Sequence, residues 1–182
     1  MPTLVLSRDL PFRPGFSLAA AAPGMDVVTV AQGRAARPEE LREACRHASA
    51  LITMLSDRVD AGFLQACPNL RVIANYAVGY DNLDLGAAAR ARVVLTNTPD
   101  VLTEATADIA FALLLGVARR VREGERLLRA GEFHGWRSDM LLGSDLHGRV
   151  FGLIGMGRIG AATARRARGF GMQIRYTNRK PV

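Results

Sequence analysis

The residues whose spacing carries the most chemistry lie late in the chain, at Gly155-Met156-Gly157-Arg158-Ile159-Gly160. The apolar run Val150–Ile154, read as a buried strand, leads straight into them. Ala161–Arg168 leaves in a helical pattern, towards a second strand-like run at Gln173–Thr177. Glycines at G-x-G-x-x-G spacing between a strand and a helix are what a dinucleotide pyrophosphate needs. Gly155 would make the tight turn, Gly157 would let the phosphates approach the backbone, and Gly160 would let helix and strand pack closely. Arg158 and Ile159 fill the turn. The N–H groups and positive dipole end of the helix then hold the anionic oxygens. The competing reading is a strand–turn–helix with incidental glycines.

The end of the second strand bears on which nicotinamide cofactor is taken. An acid there bonds the ribose 2′-hydroxyl of NAD and repels a 2′-phosphate. No acid occurs from Ala161 to Val182, and the strand ends in Asn178-Arg179-Lys180. A neutral amide beside two cations suits a 2′-phosphate, so NADP(H) is the preferred cofactor and NAD(H) the second. The alternative is that Arg179 and Lys180 are solvated loop charges.

These residues need elements to position them. Strands are expected at Thr3–Ser7, Asp26–Ala31, Ala50–Leu55, Leu70–Ala74 and Val93–Thr96. Short helices are expected at Phe16–Ala22, Val59–Ala66 and Leu83–Ala91. Pro38 with Glu39 and Glu40 opens a further helix, with Pro in the first turn and acids at the positive dipole end. Its stripe is Leu41, Ala44, Cys45 and Ala48. Strands alternating with helices argue for an α/β fold with a parallel sheet. The rhythm breaks after Pro99. One long helix, Val101–Leu128, is expected there, capped by Thr103 or Asp100, with Gly116 and Gly124 as candidate interruptions. The polar stretch Gly131–Gly148, with Trp136, follows. A boundary near Asn97–Pro99 gives domains 1–97 and 98–182.

The 182 residues carry a net charge of +7, nearly all of it from arginine. The arginines are scattered over helix-like segments such as Leu41–Arg46, Ala87–Arg92 and Ala161–Arg168, with no basic stripe and interleaved aromatics, so no nucleic-acid partner is expected. Cys45 and Cys67 match no metal motif and are too few for a disulfide framework; both read as reduced, packed thiols in the cytoplasm. No signal peptide is evident. Ile109–Ala118 is about half the length that spans a bilayer and reads as a buried helix, so no membrane association is expected.

The whole set of segments resembles the D-isomer-specific 2-hydroxyacid dehydrogenases, and among them the glyoxylate/hydroxypyruvate reductases. Asn75-Tyr76-Ala77-Val78-Gly79-Tyr80-Asp81-Asn82, Asn97-Thr98-Pro99-Asp100-Val101-Leu102-Thr103, Thr106-Ala107-Asp108 and the glycine motif with Arg165–Gly171 carry the likeness. The resemblance implies a flavodoxin-like substrate lobe followed, through the long helix, by a Rossmann domain, of which the first βαβ is encoded here. It implies that Val78 and Gly79 hold the substrate carboxylate through backbone N–H groups, where an ordinary turn is the alternative. It places Thr103 near the cofactor, where a helix cap is the alternative. It also implies a homodimer when full length, formed through the cofactor domain.

In that family an Arg holds the substrate and a His with a Glu partner shuttles the proton, all after the second Rossmann strand. His47, His134 and His147 match none of these positions, so no catalytic residue is assigned. A Rossmann sheet has about six strands, and two with one helix cannot cover their own apolar faces. The expectation is therefore a fragment of a longer enzyme or a truncated product. The function expected is hydride transfer between NADP(H) and a small 2-keto or 2-hydroxy acid. The alternative is a catalytically dead dinucleotide-binding module.

Overall fold

The computed structural model describes residues 1–181. The chain divides into two compact units, Met1–Val101 and Leu102–Val182.

The first unit is a parallel sheet of β1 (Thr3–Arg8), β2 (Asp26–Ala31), β3 (Ala50–Thr53), β4 (Val72–Asn75) and β5 (Val94–Thr96) in the order β2-β1-β3-β4-β5. That is the flavodoxin-like strand order expected. β1 pairs with both β2 and β3 and buries its central residues. Alternation along it splits the core. Val5 joins Leu51 and Ile73 on one face, against residues of α2 (Pro38–Cys45), α3 (Ala61–Ala66) and α4 (Leu85–Ala91). Leu4 and Leu6 join Ala50 on the other, against Leu18 of α1 (Leu18–Ala21) and Met25.

Local chemistry sets the element ends, and it moves several of the expected ones. α3 and α4 begin two residues later than the apolar pattern suggests. Asp60 and Asp84 are their N-caps, taking Phe63 N–H at 2.9 Å and Ala87 N–H at 2.8 Å. Val59 and Leu83, the expected starts, instead bridge each other in parallel. β3 stops at Thr53, short of Leu55, because the Asp57 carboxylate takes Met54 N–H at 2.8 Å and turns the chain. α1 is only Leu18–Ala21, with Ser17 accepting from Ala20 N–H at its start.

The second unit holds α5 (Thr103–Ala118), α6 (Val121–Arg129), β6 (Val150–Ile154), α7 (Arg158–Gly169) and β7 (Gln173–Thr177), with β6 and β7 paired in parallel. Phe111 of α5 is its apolar centre, 4.8 Å from the Phe170 ring and 6.2 Å from Phe151. The expected long helix is two helices. The break is at Arg119-Arg120, with Arg120 left-handed at φ 55°, and falls at neither Gly116 nor Gly124. The C-terminal end of α5 is closed by a segment from far along the chain. Ser144 N–H donates to the Ala118 carbonyl at 2.8 Å, and Arg119 pairs with Asp145 at 2.7 Å.

Two burial expectations also fail. α5 buries only Ala107 and Phe111, leaving Ile109, Leu113 and Val117 exposed. β6 is not a buried strand either, since Ile154 is 97% exposed. A two-stranded sheet has few neighbours to cover it, and Phe111 and α7 supply cover on one side only.

Both cysteines are free and buried. Burial, with smaller contributions from Cys67 and Asp57, pushes the Cys45 thiol up to about 12, and burial also raises that of Cys67. A group whose pKa is raised stays protonated at pH 8, and the thiolate is the reactive form. An aromatic disulfide reagent at pH 8 should therefore leave both thiols unmodified in the native protein and titrate both in denaturant. Rapid labelling without denaturant would show that α2 and α3 open locally.

Candidate functional site

Two groups of the expected site residues are assembled, one in each unit. In the second unit the glycine turn has distinct physical demands at each glycine. Gly155 lies at φ +100°, a backbone state that L side chains rarely adopt. A Cβ on Gly160 would collide with the backbone carbonyl oxygen of Gly155. The close approach that excludes a side chain there is thus between the first turn of α7 and the turn itself. Gly157 is the N-cap of α7, and a Cβ on it would meet nothing within 4 Å. No contact within the described residues demands glycine at that position.

Arg158 and Ile159 are the first two residues of α7, the former exposed and the latter half-buried. N–H groups opening a helix have no carbonyl one turn back to serve. The loop after β7 returns to this turn. Gly155 N–H donates to the Thr177 carbonyl at 2.9 Å, and Met156 N–H donates to Asn178 Oδ1 at 3.4 Å. Asn178 Nδ2 in turn holds the Lys180 carbonyl at 3.0 Å. Arg179 and Lys180 are exposed, and neither forms an ion pair among the described residues. Thr103 is the first residue of α5 and half-buried. Neither it nor Asp100 caps that helix. Leu102 occupies the cap with no side-chain bond, and Thr103 is already helical; Asp100 is left-handed at φ 68°.

What fixes α7 was not expected. Glu104 and Asp108 sit one turn apart on α5. Arg166 reaches Glu104 at 2.9 Å and Asp108 at 2.5 Å, and Arg165 reaches Glu104 at 2.6 Å. The hydrogen bond to Asp108, then that to Glu104, raises the Arg166 pKa further. The sequence signal is two acids at i and i+4, a repulsive pair on a helix unless a cation joins them.

In the first unit Val78 and Gly79 lie just beyond the carboxyl end of β4. Consecutive carbonyls of this loop are taken by the protein. Thr98 N–H bonds Ala77 O at 2.9 Å, Asn97 Nδ2 bonds Val78 O at 2.9 Å, and Asn75 Nδ2 bonds Gly79 O at 2.8 Å. In a planar trans peptide the N–H points opposite to the carbonyl. Val78, Gly79 and Tyr80 N–H groups therefore face away from these donors, and none meets an acceptor among the described residues. Successive backbone N–H groups that converge make an anion-binding concavity, the use that the binding expected of Val78 and Gly79 would require. Gly79 is not left-handed, and a Cβ on it would meet only Leu55 Cδ2, at an ordinary 3.7 Å. The fold itself does not require glycine here.

The family model described as "D-isomer specific 2-hydroxyacid dehydrogenase, catalytic domain" matches residues 14–177. The chain belongs to this family of dehydrogenases. A glyoxylate reductase of Thermococcus onnurineus (strain NA1) is 52% identical over 145 residues, 78% of this chain and 43% of that protein. Another, of Korarchaeum cryptofilum (strain OPF8), is 53% identical over 135 residues, 74% of this chain and 41% of that protein. The chain thus spans less than half the length of these curated relatives. Among solved structures, a Thermus thermophilus protein superposes with a TM-score of 0.90 at 42% identity, covering 99% of this chain and 57% of that one. A glyoxylate reductase from Paecilomyes thermophila gives 0.82 at 30% identity, covering 100% and 56%.

The histidines of this dehydrogenase chain are all exposed. The His147 ring is seated so close to Gly171 that a Cβ there would lie 2.5 Å from Nδ1. Among the described residues no helix is long and apolar enough to cross a membrane.

Gly160→Ala tests the turn. Its Cβ must displace either the Gly155 carbonyl or the helix start, an overpacking cost of roughly 1–3 kcal/mol. A lowered melting temperature and weakened dinucleotide binding by the folded fraction are expected. Gly157→Ala should leave stability nearly unchanged while weakening dinucleotide binding. Equal effects of the two on stability would show that the glycines serve packing alone.

Proposed function

We infer that this chain serves a reductase transferring hydride between NADP(H) and a small 2-keto acid such as glyoxylate or hydroxypyruvate, giving glycolate or the D-2-hydroxy acid. The observation that carries this reading is the row of outward N–H groups at Val78, Gly79 and Tyr80. A 2-keto acid offers a carboxylate next to the carbon to be reduced. Fixed backbone dipoles hold that carboxylate without carrying a charge of their own, so binding requires no rearrangement of counter-ions. The glycine that the fold leaves unexplained, Gly79, lets the carboxylate come within hydrogen-bonding distance.

The residues of the second unit fit a dinucleotide. Gly155 shapes the turn, Gly157 leaves the phosphates room, and Gly160 sets the start of α7, whose dipole favours anions. Arg158 and Ile159 present the first N–H groups of α7, and Thr103 flanks the cofactor at the start of α5. Asn178 binds the turn to the loop that carries Arg179 and Lys180, which receive the 2′-phosphate. The bound cofactor supplies the hydride, while the protein binds and orients. The absence of any acid from Ala161 onward supports NADPH as the preferred donor, with NADH used less well. The names of the curated relatives support glyoxylate as the acid.

The test is reduction of glyoxylate and hydroxypyruvate with each cofactor, with cofactor affinities measured alongside. The Arg179→Ala/Lys180→Ala double variant should lower the NADPH-over-NADH preference about tenfold or more, the size of a lost charged hydrogen bond. An unchanged ratio would sink the 2′-phosphate assignment. Tight NADPH binding without turnover of either acid would support the binding-module reading instead.

A further inference from the structure

In the loop Ala77–Tyr80 the N–H groups of Val78, Gly79 and Tyr80 meet no acceptor among the described residues. Beyond Ala77, whose N–H donates to the Asn75 carbonyl at 2.8 Å, these peptides are held from the carbonyl side. Two of those carbonyls are held by side-chain amides from separate segments, Asn97 after β5 and Asn75 at the end of β4. We propose that Asn97 and Asn75 are positioning residues of the substrate-carboxylate site, fixing its N–H groups by gripping the carbonyls behind them. The proposal rests on the carboxylate reading of Val78 and Gly79.

The grip of Asn75 is itself fixed in direction. The Thr53 hydroxyl donates to Asn75 Oδ1 at 2.9 Å, and Asn82 Nδ2 donates to the same oxygen at 3.2 Å. With the oxygen end occupied by donors, the amide cannot flip, and its Nδ2 must face Gly79 O. Asn82 is anchored in turn by the Met54 and Asp57 carbonyls at 3.1 and 2.9 Å. Thr53 and Asn75 are almost wholly buried, where a polar group left unpaired is costly. The set is therefore rigid. Asn97 is the lighter grip, since it is half-buried and its side chain makes its bond to Val78 O alone among those resolved.

Without the Asn97 amide, the Val78–Gly79 peptide is free to rotate about its flanking bonds. Gly79 N–H then points at the ligand for only part of the time, and the carboxylate loses one donor's worth of binding. Asn97 and Asn75 belong to the first unit and the glycine turn to the second, so the loss is expected to fall on the acid.

The experiment uses the 182-residue chain, isotope-labelled, with amide resonances followed by NMR. Wild type and Asn97→Leu, which keeps the approximate volume and cannot donate, are titrated with glyoxylate and separately with NADPH. Glyoxylate should move the Val78 and Gly79 amide protons of the wild type. In Asn97→Leu the half-saturating glyoxylate concentration should rise about tenfold, with NADPH affinity unchanged and the melting temperature within a few degrees. Unchanged glyoxylate affinity in Asn97→Leu, with the wild-type shifts present, would overturn the positioning role and leave the carboxylate reading standing. Absence of any shift at Val78 and Gly79 in the wild type would overturn both. Joint loss of glyoxylate affinity, NADPH affinity and thermal stability would show a general structural role and overturn the proposal. Asn97 is the residue to change because Asn75 lies in the core, where substitution threatens folding.

Discussion

The buried amide of Asn75 is the constraint on which the carboxyl edge of the first unit depends. It joins the ends of β3 and β4 through Thr53, closes the loop Tyr76–Asn82 through Asn82, and orients that loop through the Gly79 carbonyl. Every donor and acceptor it offers is used. A fully satisfied buried polar network rigidifies its surroundings, whereas the same amide with one bond missing would destabilise them. This edge is also where the strand order of a flavodoxin-like sheet places ligands, since open α/β sheets bind beyond the carboxyl ends of their strands. Rigidity and ligand-facing geometry come from the same residue.

The second unit solves a related problem with different means. Its turn at Gly155–Gly160 is shaped by what glycine lacks: a left-handed backbone at Gly155, and no side chain at Gly160 to strike the Gly155 carbonyl. The helix that follows is held along its length by Arg165 and Arg166 on the acids of α5, with Phe111 beside Phe151 and Phe170 beneath. Of these charges, Arg166 is the most enclosed, and it serves both Glu104 and Asp108. Exposed ion pairs singly contribute about 0–1 kcal/mol. A shared, partly buried guanidinium bonded to both carboxylates is better placed to fix the pitch of α7 relative to α5.

Much of this was legible in the sequence, for reasons that differ by residue. The strands of the first unit were marked by short Val, Ile and Leu runs between turn residues. The positive-φ turn at Gly155 followed from spacing and flanking pattern, whereas Gly160 is crowded by the Gly155 carbonyl and not by the strand. Helix starts were misread where an apolar residue belongs to a bridge, as with Val59 and Leu83, and a nearby Asp is the true cap. The break after α5 was invisible because its cause, Ser144 and Asp145, is far along the chain. Burial of Ile109–Ala118 and of β6 was overestimated because hydropathy reports what a segment would bury, not what covers it. Asn75, Asn82 and Asn97 stood in plain view in the segments that carry the family likeness. Their function was not readable, because gripping successive carbonyls is a property of three segments meeting in space.

The two anionic ligands proposed for this chain would be held in opposite ways, and the difference is physical rather than incidental. The carboxylate would meet backbone dipoles fixed by the side-chain amides of Asn75 and Asn97, which carry no net charge and attract no counter-ions. The 2′-phosphate would meet Arg179 and Lys180, exposed cations that salt screens over about 8–10 Å at ordinary ionic strength. A small acid has few atoms with which to be recognised, so its site must be preorganised. A dinucleotide has many, and its pyrophosphate would already be held at the start of α7, so the choice between two closely similar cofactors could be left to side chains on a loop. Rigid amides at the strand ends and solvated cations at the loop therefore match the demands of their ligands, and the formal charge of +7 need not converge on any single site to serve both.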